Sequence, residues 1–320
     1  MPRPARFKKR RLRRRLRPLT DRLLYGLVEG LRRVLARLPH ALVLALGRAA
    51  GSLGYLVCGG LRRLAMRQLR ETGIAPDERE ARRLARATFR SLGMNALEWL
   101  HSSGWDRPRL EACVRVEGIE HIREGERAGR GIIMVAYHFG NWELLSSSFR
   151  LVIDYPALVV MTPIRNPLLN DFVVRMRQRW GFQMVTQNDV RTILRGLRAG
   201  WMLAVLADQD TRRVRGIHVD FLGRPALTPS GAAVIAWRTG APICPYTIER
   251  TAEDPRRHIL RGHPCIWPDP DAPEEQEVRR LTQAYTDVLA REIRRRPDQW
   301  VWIHDRWHHP PRRHHDALAS

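Results

Sequence analysis

The chain has 320 residues, enough for one large domain or for one domain with a helical appendage. Hydrophobic residues make up 44% of it, which excludes a disordered chain. Basic residues outnumber acidic ones by 56 to 33, a formal charge of +23, and all the basic residues except Lys8 and Lys9 are arginines. Guanidinium forks match phosphates and carboxylates, so an anionic partner is expected; nucleic acid, anionic lipid and a phosphorylated substrate all fit. Cys58, Cys113, Cys244 and Cys265 form no CxxC pair, which argues against a zinc ribbon or a thioredoxin motif. They are too few for a disulfide-built secreted domain, so four reduced thiols in a cytosol-facing protein are expected.

Residues 1–18 hold ten basic residues and no acid, a block suited to gripping a polyanion. From Leu19 to Leu38 the apolar residues Leu23, Leu24, Leu27, Val28, Leu31, Val34, Leu35 and Leu38 recur at spacings of three and four, the helical period. A basic amphipathic helix of this kind lies in a bilayer interface rather than across it. The run from Ala41 to Leu61 is about long enough to span, but Arg48 near its middle and several glycines make it a poor candidate. It starts too late for a signal peptide, and no clear cleavage motif follows it. The reading is an interfacial or re-entrant element, with a true span or a buried soluble helix as the alternatives, and with the basic start and the catalytic body on the cytoplasmic side of an inner membrane to which the protein is peripheral or anchored by a single segment.

Residues 62–103 read as helix, with a new start in the charged run Pro76–Arg83. After Pro108 short apolar runs (VRVEG, GIIMVAYH, ALVVMTP, WMLAVLAD, PICPYTIER) alternate with helical stretches at Asn170–Trp180, Val190–Ala199 and Pro229–Thr239, and residues 274–296 form a further charged helix. That alternation predicts an α/β fold: a central, mostly buried β-sheet flanked by helices, preceded by a basic N-terminal helical membrane-attachment region. The expected division is a membrane-associated segment at 1–61, an α/β domain at 62–308 and a flexible Pro/Arg/His tail at 309–320. The tail's His308, His309, His314 and His315 make a weak metal site, and no metal is expected.

The chemistry concentrates where GIIMVAYHFGNWELL changes from apolar to polar. His138 stands at that strand end, and Glu143 follows in the first turn of a helix starting near Asn141, where the dipole favours a carboxylate. Strand–turn–helix geometry could fold Glu143 back onto one imidazole nitrogen and leave the other facing the crevice at the strand's C-terminal end. A carboxylate that fixes a histidine's tautomer makes it a general base; a histidine capping a strand is the plainer reading. There is no GxSxG elbow, and Ser146–Ser148 lie inside the helix. The histidine is therefore expected to activate a substrate hydroxyl directly.

These residues carry a resemblance. The H-x4-E run from His138 to Glu143 resembles the signature of bacterial lipid A biosynthesis acyltransferases, within the glycerolipid acyltransferase superfamily. Arg165-Asn166-Pro167 with Arg177 to Gly181 resembles the family's second block, and Asp208 to Asp210, Val219 to Gly223 and Ala226 to Gly231 its third. Pro297 to Trp307 resembles the closing block, so four blocks stand in order across residues 115–308. The resemblance implies an acyltransferase that moves a fatty acyl chain from a thioester, usually on acyl carrier protein, to a hydroxyl of a glycolipid, with no cofactor and no covalent acyl-enzyme. It implies that His138 takes the hydroxyl proton and Glu143 orients the imidazolium. For the oxyanion, backbone N–H groups around Gly140 and Asn141 are the expected donors. Arg165, Asn166 and Arg177 are read as phosphate or active-site contacts; Asp208 and Gln209 point into the same crevice, with Asp208 holding one of those arginines. The stretch from Thr228 to Gly231 is expected to cap the next helix, whose N-terminus would also suit an anionic group of the substrate, and His304 and Arg306 fall between structure and substrate. The segment from Met66 to Pro76 departs from the family's pattern, which bears on the acceptor.

A lipid A precursor is the expected acceptor, with a lysophospholipid or another glycolipid or amino-lipid as the alternative. A nucleic-acid-binding protein would explain the charge but not the four blocks, and aromatics are not interleaved with the basic start. A membrane-surface scaffold is disfavoured because His138 and Glu143 are both present. The expected partners are acyl carrier protein, an anionic glycolipid and an anionic membrane surface.

Overall fold

The computed structural model describes residues 4–210 and 215–311, with side chains from Arg17 onward. The chain opens with four helices: α1 (Pro4–Leu35), α2 (His40–Val57), α3 (Gly59–Glu71) and α4 (Glu78–Ser102). Asp77 caps α4 by accepting from the Glu80 N–H, and Glu78 and Glu80 add acids to its first turn. The apolar run Ala41–Leu61 is not one element, because the helix breaks at Cys58.

Helix α2 lies against α4 with almost no side chains between them. A Cβ on Gly51 would sit 2.2 Å from the Phe89 carbonyl oxygen, and one on Gly93 would sit 2.2 Å from that of Gly47. The opposite face of α2 exposes Leu42, Leu46, Leu53, Leu56 and Val57, and α1 exposes Leu19, Leu23, Leu24, Leu27 and Val34. Contiguous apolar surface of this kind on a folded chain marks a partner or a lipid phase.

The α/β body follows as α5 (Arg107–Cys113), β1 (Val114–Glu117), α6 (Ile119–Arg127), β2 (Ile132–Ala136), α7 (Trp142–Ser148), β3 (Ala157–Val160), α8 (Pro167–Gln178), β4 (Phe182–Val185), α9 (Val190–Arg198) and β5 (Met202–Leu206). A separate antiparallel hairpin, β6 (Gly216–Phe221) with β7 (Arg224–Pro229), precedes α10 (Gly231–Thr239), β8 (Ile243–Arg250), β9 (His258–Gly262) and α11 (Glu274–Arg295). The seven-stranded sheet has the order β1-β9-β8-β2-β5-β3-β4 and is parallel except where β9 turns back on β8.

Strand β2 is wholly buried at the middle of the sheet, which explains its unbroken apolar run. Ile133 and Val135 join the core beneath α9, α10 and α11; Ile132, Met134 and Ala136 join the core on the other face with Leu144, Leu145 and Phe149. Its register pairs Met134 with Ala204 of β5 and with Cys244 of β8. The α/β class is therefore as the sequence predicts.

The four-thiol expectation is corrected. The pairing of Ile243 with Ile266 brings Cys244 and Cys265 together as a disulfide, with Cα atoms 4.5 Å apart, and only Cys58 and Cys113 are free. His314 and His315 lie outside the described residues, whereas His309, placed by the sequence in the flexible tail, is fastened to Asp210.

Candidate active site

His138 lies two residues beyond β2, on the edge of the sheet where the parallel strands end. Asp208 lies two residues beyond β5, the neighbouring strand, so the sheet brings together side chains that are 70 positions apart. Its carboxylate grips His138 at two points: Oδ1 lies 2.8 Å from Nδ1, and Oδ2 accepts the His138 backbone N–H at 3.1 Å. Trp300 Nε1–H donates to Oδ2 at 3.0 Å. Because an ionised carboxylate can only accept, the imidazole carries its proton on Nδ1, and Nε2 is left as the lone-pair nitrogen. The ring keeps 18% of its surface exposed.

Burial, the largest influence, pushes the His138 pKa down, but the Asp208 charge, the Asp208 hydrogen bond and the Glu143 charge together outweigh it, and the net shift is upward. Burial pushes Asp208 up, but His138 and the Trp300 donor hold it below the ordinary carboxylate range. The pair is thus a neutral or protonated imidazole on a carboxylate that stays ionised.

Two sequence expectations are corrected here. Asp208 binds His138 and not an arginine, and Glu143 forms no hydrogen bond to the imidazole. Glu143 instead pairs with Arg177, Nη2 to Oε2 at 3.1 Å. The physical reason is the helix: Asn141 caps α7 through the Leu144 N–H, and residue 143, in its first turn, is directed across the crevice toward α8.

The loop between them is held from behind. Gly140 has φ +58°, and a Cβ there would lie 1.7 Å from the Ile248 carbonyl oxygen, so only glycine fits. Its N–H donates to the Gln299 carbonyl at 2.9 Å, which removes it from the expected oxyanion donors, and its carbonyl accepts from Asn95 Nδ2 at 2.6 Å. The Asn141 side chain is likewise committed, donating to Glu98 Oε2 at 2.7 Å.

Glu98, on α4, is fully buried and also receives His40 Nε2 at 2.7 Å, His258 Nε2 at 3.1 Å and both Arg250 Nη groups. Burial pushes its pKa up, but the His258 and Arg250 charges hold it well below the usual range. Nothing in the sequence singled out Glu98 or Asn95; the available signal was a carboxylate in helical register with Leu84 and Met94 on the buried face of α4, which also carries Thr88, Ser91 and Asn95.

The remaining expected site residues divide. Asn166 is a helix cap, accepting from Leu168 and Leu169 N–H groups, and its Nδ2 donates to the Asp21 carbonyl. Arg165 is exposed beside it, and Gln209 is half-buried on the loop after β5. Thr228 lies in β7 and does not cap α10; its hydroxyl takes Arg306 Nη2. Arg306 is buried over Phe221, also donates to the Leu227 carbonyl, and burial pushes its pKa down to about 10. His304 Nε2 accepts the Asp210 N–H at 3.1 Å, and burial pushes its pKa down.

An apolar slot opens beside the histidine. Trp142 meets the His138 ring edge-on at 5.3 Å between centroids and also forms a wall of the slot. The slot then runs between Met134, Leu145, Phe149 and Phe182, with Arg177 at its rim. A base, a buried carboxylate behind it and an apolar slot beside it are the parts needed to deprotonate a hydroxyl next to a bound hydrocarbon chain.

Comparison with known proteins finds acyltransferases. The family profile described as bacterial lipid A biosynthesis acyltransferase matches residues 13–309. The chain is 25% identical to the lipid A biosynthesis lauroyltransferase of Escherichia coli strain K12 over 86% of its length and 88% of that protein's. It is 25% identical to the palmitoleoyltransferase of the same strain over 85% and 86%. It is also 25% identical to a phosphatidylinositol mannoside acyltransferase of Mycolicibacterium smegmatis over 70% and 72%.

Proposed function

The chain belongs to the bacterial lipid A biosynthesis acyltransferase family, and from that premise we propose that it moves a fatty acyl chain from an acyl thioester, carried on acyl carrier protein, to a hydroxyl of a lipid A precursor. The observation that carries this reading is the His138–Asp208 pair, whose imidazole meets Trp142, a wall of the apolar slot.

His138 Nε2 takes the proton of the acceptor hydroxyl as its oxygen attacks the thioester carbonyl. Asp208 keeps the tautomer correct and stabilises the imidazolium that results. The tetrahedral intermediate collapses by breaking the carbon–sulfur bond, and the imidazolium returns its proton to the leaving thiolate. Acyl ester and free thiol are the products, with no acyl-enzyme. The slot holds the hydrocarbon chain, and Glu143 with Arg177 forms a polar rim facing the headgroups.

Membrane attachment is part of the same proposal. The outward leucines of α1 and α2 enter the interface, and the basic start meets anionic lipid. Attachment without spanning is favoured because α4, in backbone contact with α2, carries exposed Arg79, Arg82, Arg83, Arg86 and Arg90. Each arginine drawn to the bilayer centre costs about 2.5–3.5 kcal/mol. The catalytic body then lies on the cytoplasmic side of the inner membrane, where acyl carrier protein is met. The mannoside acyltransferase relatives make another glycolipid the alternative acceptor.

The test is detergent-solubilised protein given acyl carrier protein charged with C12–C16 chains and a panel of a tetra-acylated lipid A precursor, lysophosphatidate and a mannosylated phosphoinositide. Mass spectrometry is expected to show one added acyl chain on the lipid A precursor and none with His138→Ala. Acylation of another panel member instead would retain the chemistry and overturn the substrate.

A further inference from the structure

Asp210 repeats, two residues further on, what Asp208 does. Asp208 accepts the backbone N–H and the Nδ1–H of His138; Asp210 accepts the backbone N–H of His309 at 2.9 Å and its Nδ1–H at 2.5 Å. The Asp210 side chain is 1% exposed, and a carboxylate that deep is costly to hold unless it is paired. The acyl transfer described above makes no use of it. We propose that Asp210 and His309 are positioning residues for the reaction: they pin the loop after β5 to a C-terminal strap, residues 300–309, and so keep Asp208 on His138. The proposal rests on the reading of His138 as the base.

Strand β5 stops holding the loop just before the carboxylate that matters. Leu206 is its last residue and pairs with Ala136, and the ladder to β2 ends with the Ala207 N–H donating to the Ala136 carbonyl at 3.3 Å. Asp208 stands between that contact and the next fixed point, which is Asp210. Both carboxylate oxygens of Asp210 are held by His309, and its backbone N–H donates to His304 Nε2 at 3.1 Å. Burial keeps the His304 pKa below its ordinary value, so Nε2 stays an acceptor.

The strap can serve as the fixed partner because it is fastened elsewhere. Gln68 of α3 donates to the Trp302 and His304 carbonyls at 2.8 and 2.9 Å and accepts the Arg306 N–H at 2.9 Å. Arg306 donates to the Leu227 carbonyl and the Thr228 hydroxyl of β7. His218 Nε2 of β6 donates to the His309 carbonyl at 2.9 Å, so His309 is tied to the hairpin on one side and to Asp210 on the other. Trp300, at the start of the strap, donates to Asp208 itself. Strap and loop thus meet at both carboxylates, and a loop freed at Asp210 leaves Asp208 held from one side. A shift of roughly 0.5 Å is enough to take a catalytic group out of productive geometry.

The titration of His138 registers such a shift. The charged and titratable groups facing it are Asp208 on the β5 loop, Glu143 on α7 with Arg177 of α8 opposite, and His304 on the strap. As Asp208 moves away its charge favours the imidazolium less, so the midpoint falls.

The test compares His309→Ala, His309→Asn and Asp210→Asn with the wild type, as full-length protein in detergent, with thermal unfolding recorded for each. One readout is kcat and KM across pH, with acyl carrier protein thioester and a lipid A precursor. The other is the titration of the His138 ring by NMR of histidine-labelled protein, assigned by its loss in His138→Ala. His309→Ala is expected to lower kcat roughly tenfold with KM nearly unchanged, and to move the acid limb and the ring midpoint to lower pH. His309→Asn, whose amide N–H stands in for Nδ1–H, is expected to restore both. Asp210→Asn keeps one acceptor and is expected to fall between; it is judged by the same readouts if His309→Ala does not fold.

A folded His309→Ala with unchanged kcat would overturn the proposal. So would a lower kcat with an unmoved acid limb and midpoint, or a His309→Asn no better than the alanine variant. If the wild type acylates no acceptor, the acyl-transfer reading has failed and the ring titration alone judges the positioning: a lower midpoint in His309→Ala sustains it, and a midpoint shared with the wild type refutes it.

Discussion

Two buried carboxylates in this enzyme are wired to histidines, and they do opposite things. Asp208 meets one imidazole, and that imidazole keeps part of its ring open to the crevice beside an apolar slot. Glu98 meets two imidazoles, a guanidinium and an asparagine, and all of them are sealed between α2, α4, α7 and the β8–β9 pair. Both acids are pulled below their ordinary pKa against the effect of burial. What separates the proposed reacting centre from the sealed cluster is a nitrogen with room in front of it, and a shifted pKa does not distinguish them.

The sharpest way to break this comparison is Asp208→Asn. It is expected to lower kcat roughly a hundredfold to ten-thousandfold while leaving the fold intact, because the amide favours the wrong tautomer. The acid limb of kcat/KM should also move to lower pH. The base must be unprotonated, so activity is lost as pH falls through the His138 pKa; without the Asp208 charge, burial, the largest influence, is opposed by the weaker Glu143 charge and lowers that pKa. A pH–rate series on both proteins checks the two effects together.

Glu98→Gln should instead act on stability, by about 3–5 kcal/mol, because it leaves Arg250 buried without its counter-charge. That corresponds to a Tm lower by roughly 10 °C. Since the folded pKa of Glu98 is depressed, its contribution is complete above the unfolded carboxylate value and lost as pH falls toward the folded one. The difference in Tm between wild type and variant should therefore shrink as the pH drops below the ordinary carboxylate range, as calorimetry at several pH values would show.

The smallest expected effect concerns the rim. Glu143→Gln and Arg177→Gln should each cost roughly tenfold in kcat/KM, and the double variant should cost little more than either, because each removes the other's partner. Additive losses would mean that Glu143 acts on His138 independently of Arg177.

The sequence revealed the parts of the fold whose signal is local. The buried runs of β2, β5 and β8 and the amphipathic α1 announce themselves by composition, and His138 is conspicuous where an apolar run stops. Strand β9 was hidden because HILRG mixes charged with apolar residues, and the β6–β7 hairpin because it stands outside the sheet and lacks a buried run. The partner of His138 was out of reach for a different reason. Glu143 is five residues away along the chain, whereas Asp208 becomes a neighbour only through the pairing of β2 with β5. The disulfide is hidden in the same way, since the spacing of Cys244 and Cys265 says nothing until Ile243 meets Ile266.

The segment around Gln299 and Trp300 gives the active centre an order of assembly. The Gln299 carbonyl receives the Gly140 N–H, Trp300 pairs with Phe139, and its indole donates to Asp208. The first two of these contacts reach back across more than 150 residues to the loop that carries His138. During synthesis the sheet can therefore be complete while the histidine still lacks its final setting, and a chain halted after α11 would hold every reacting group in a loop not yet fixed in place. Catalytic competence therefore waits for the segment that follows α11, and a chain that stops short of it carries the histidine without its final support.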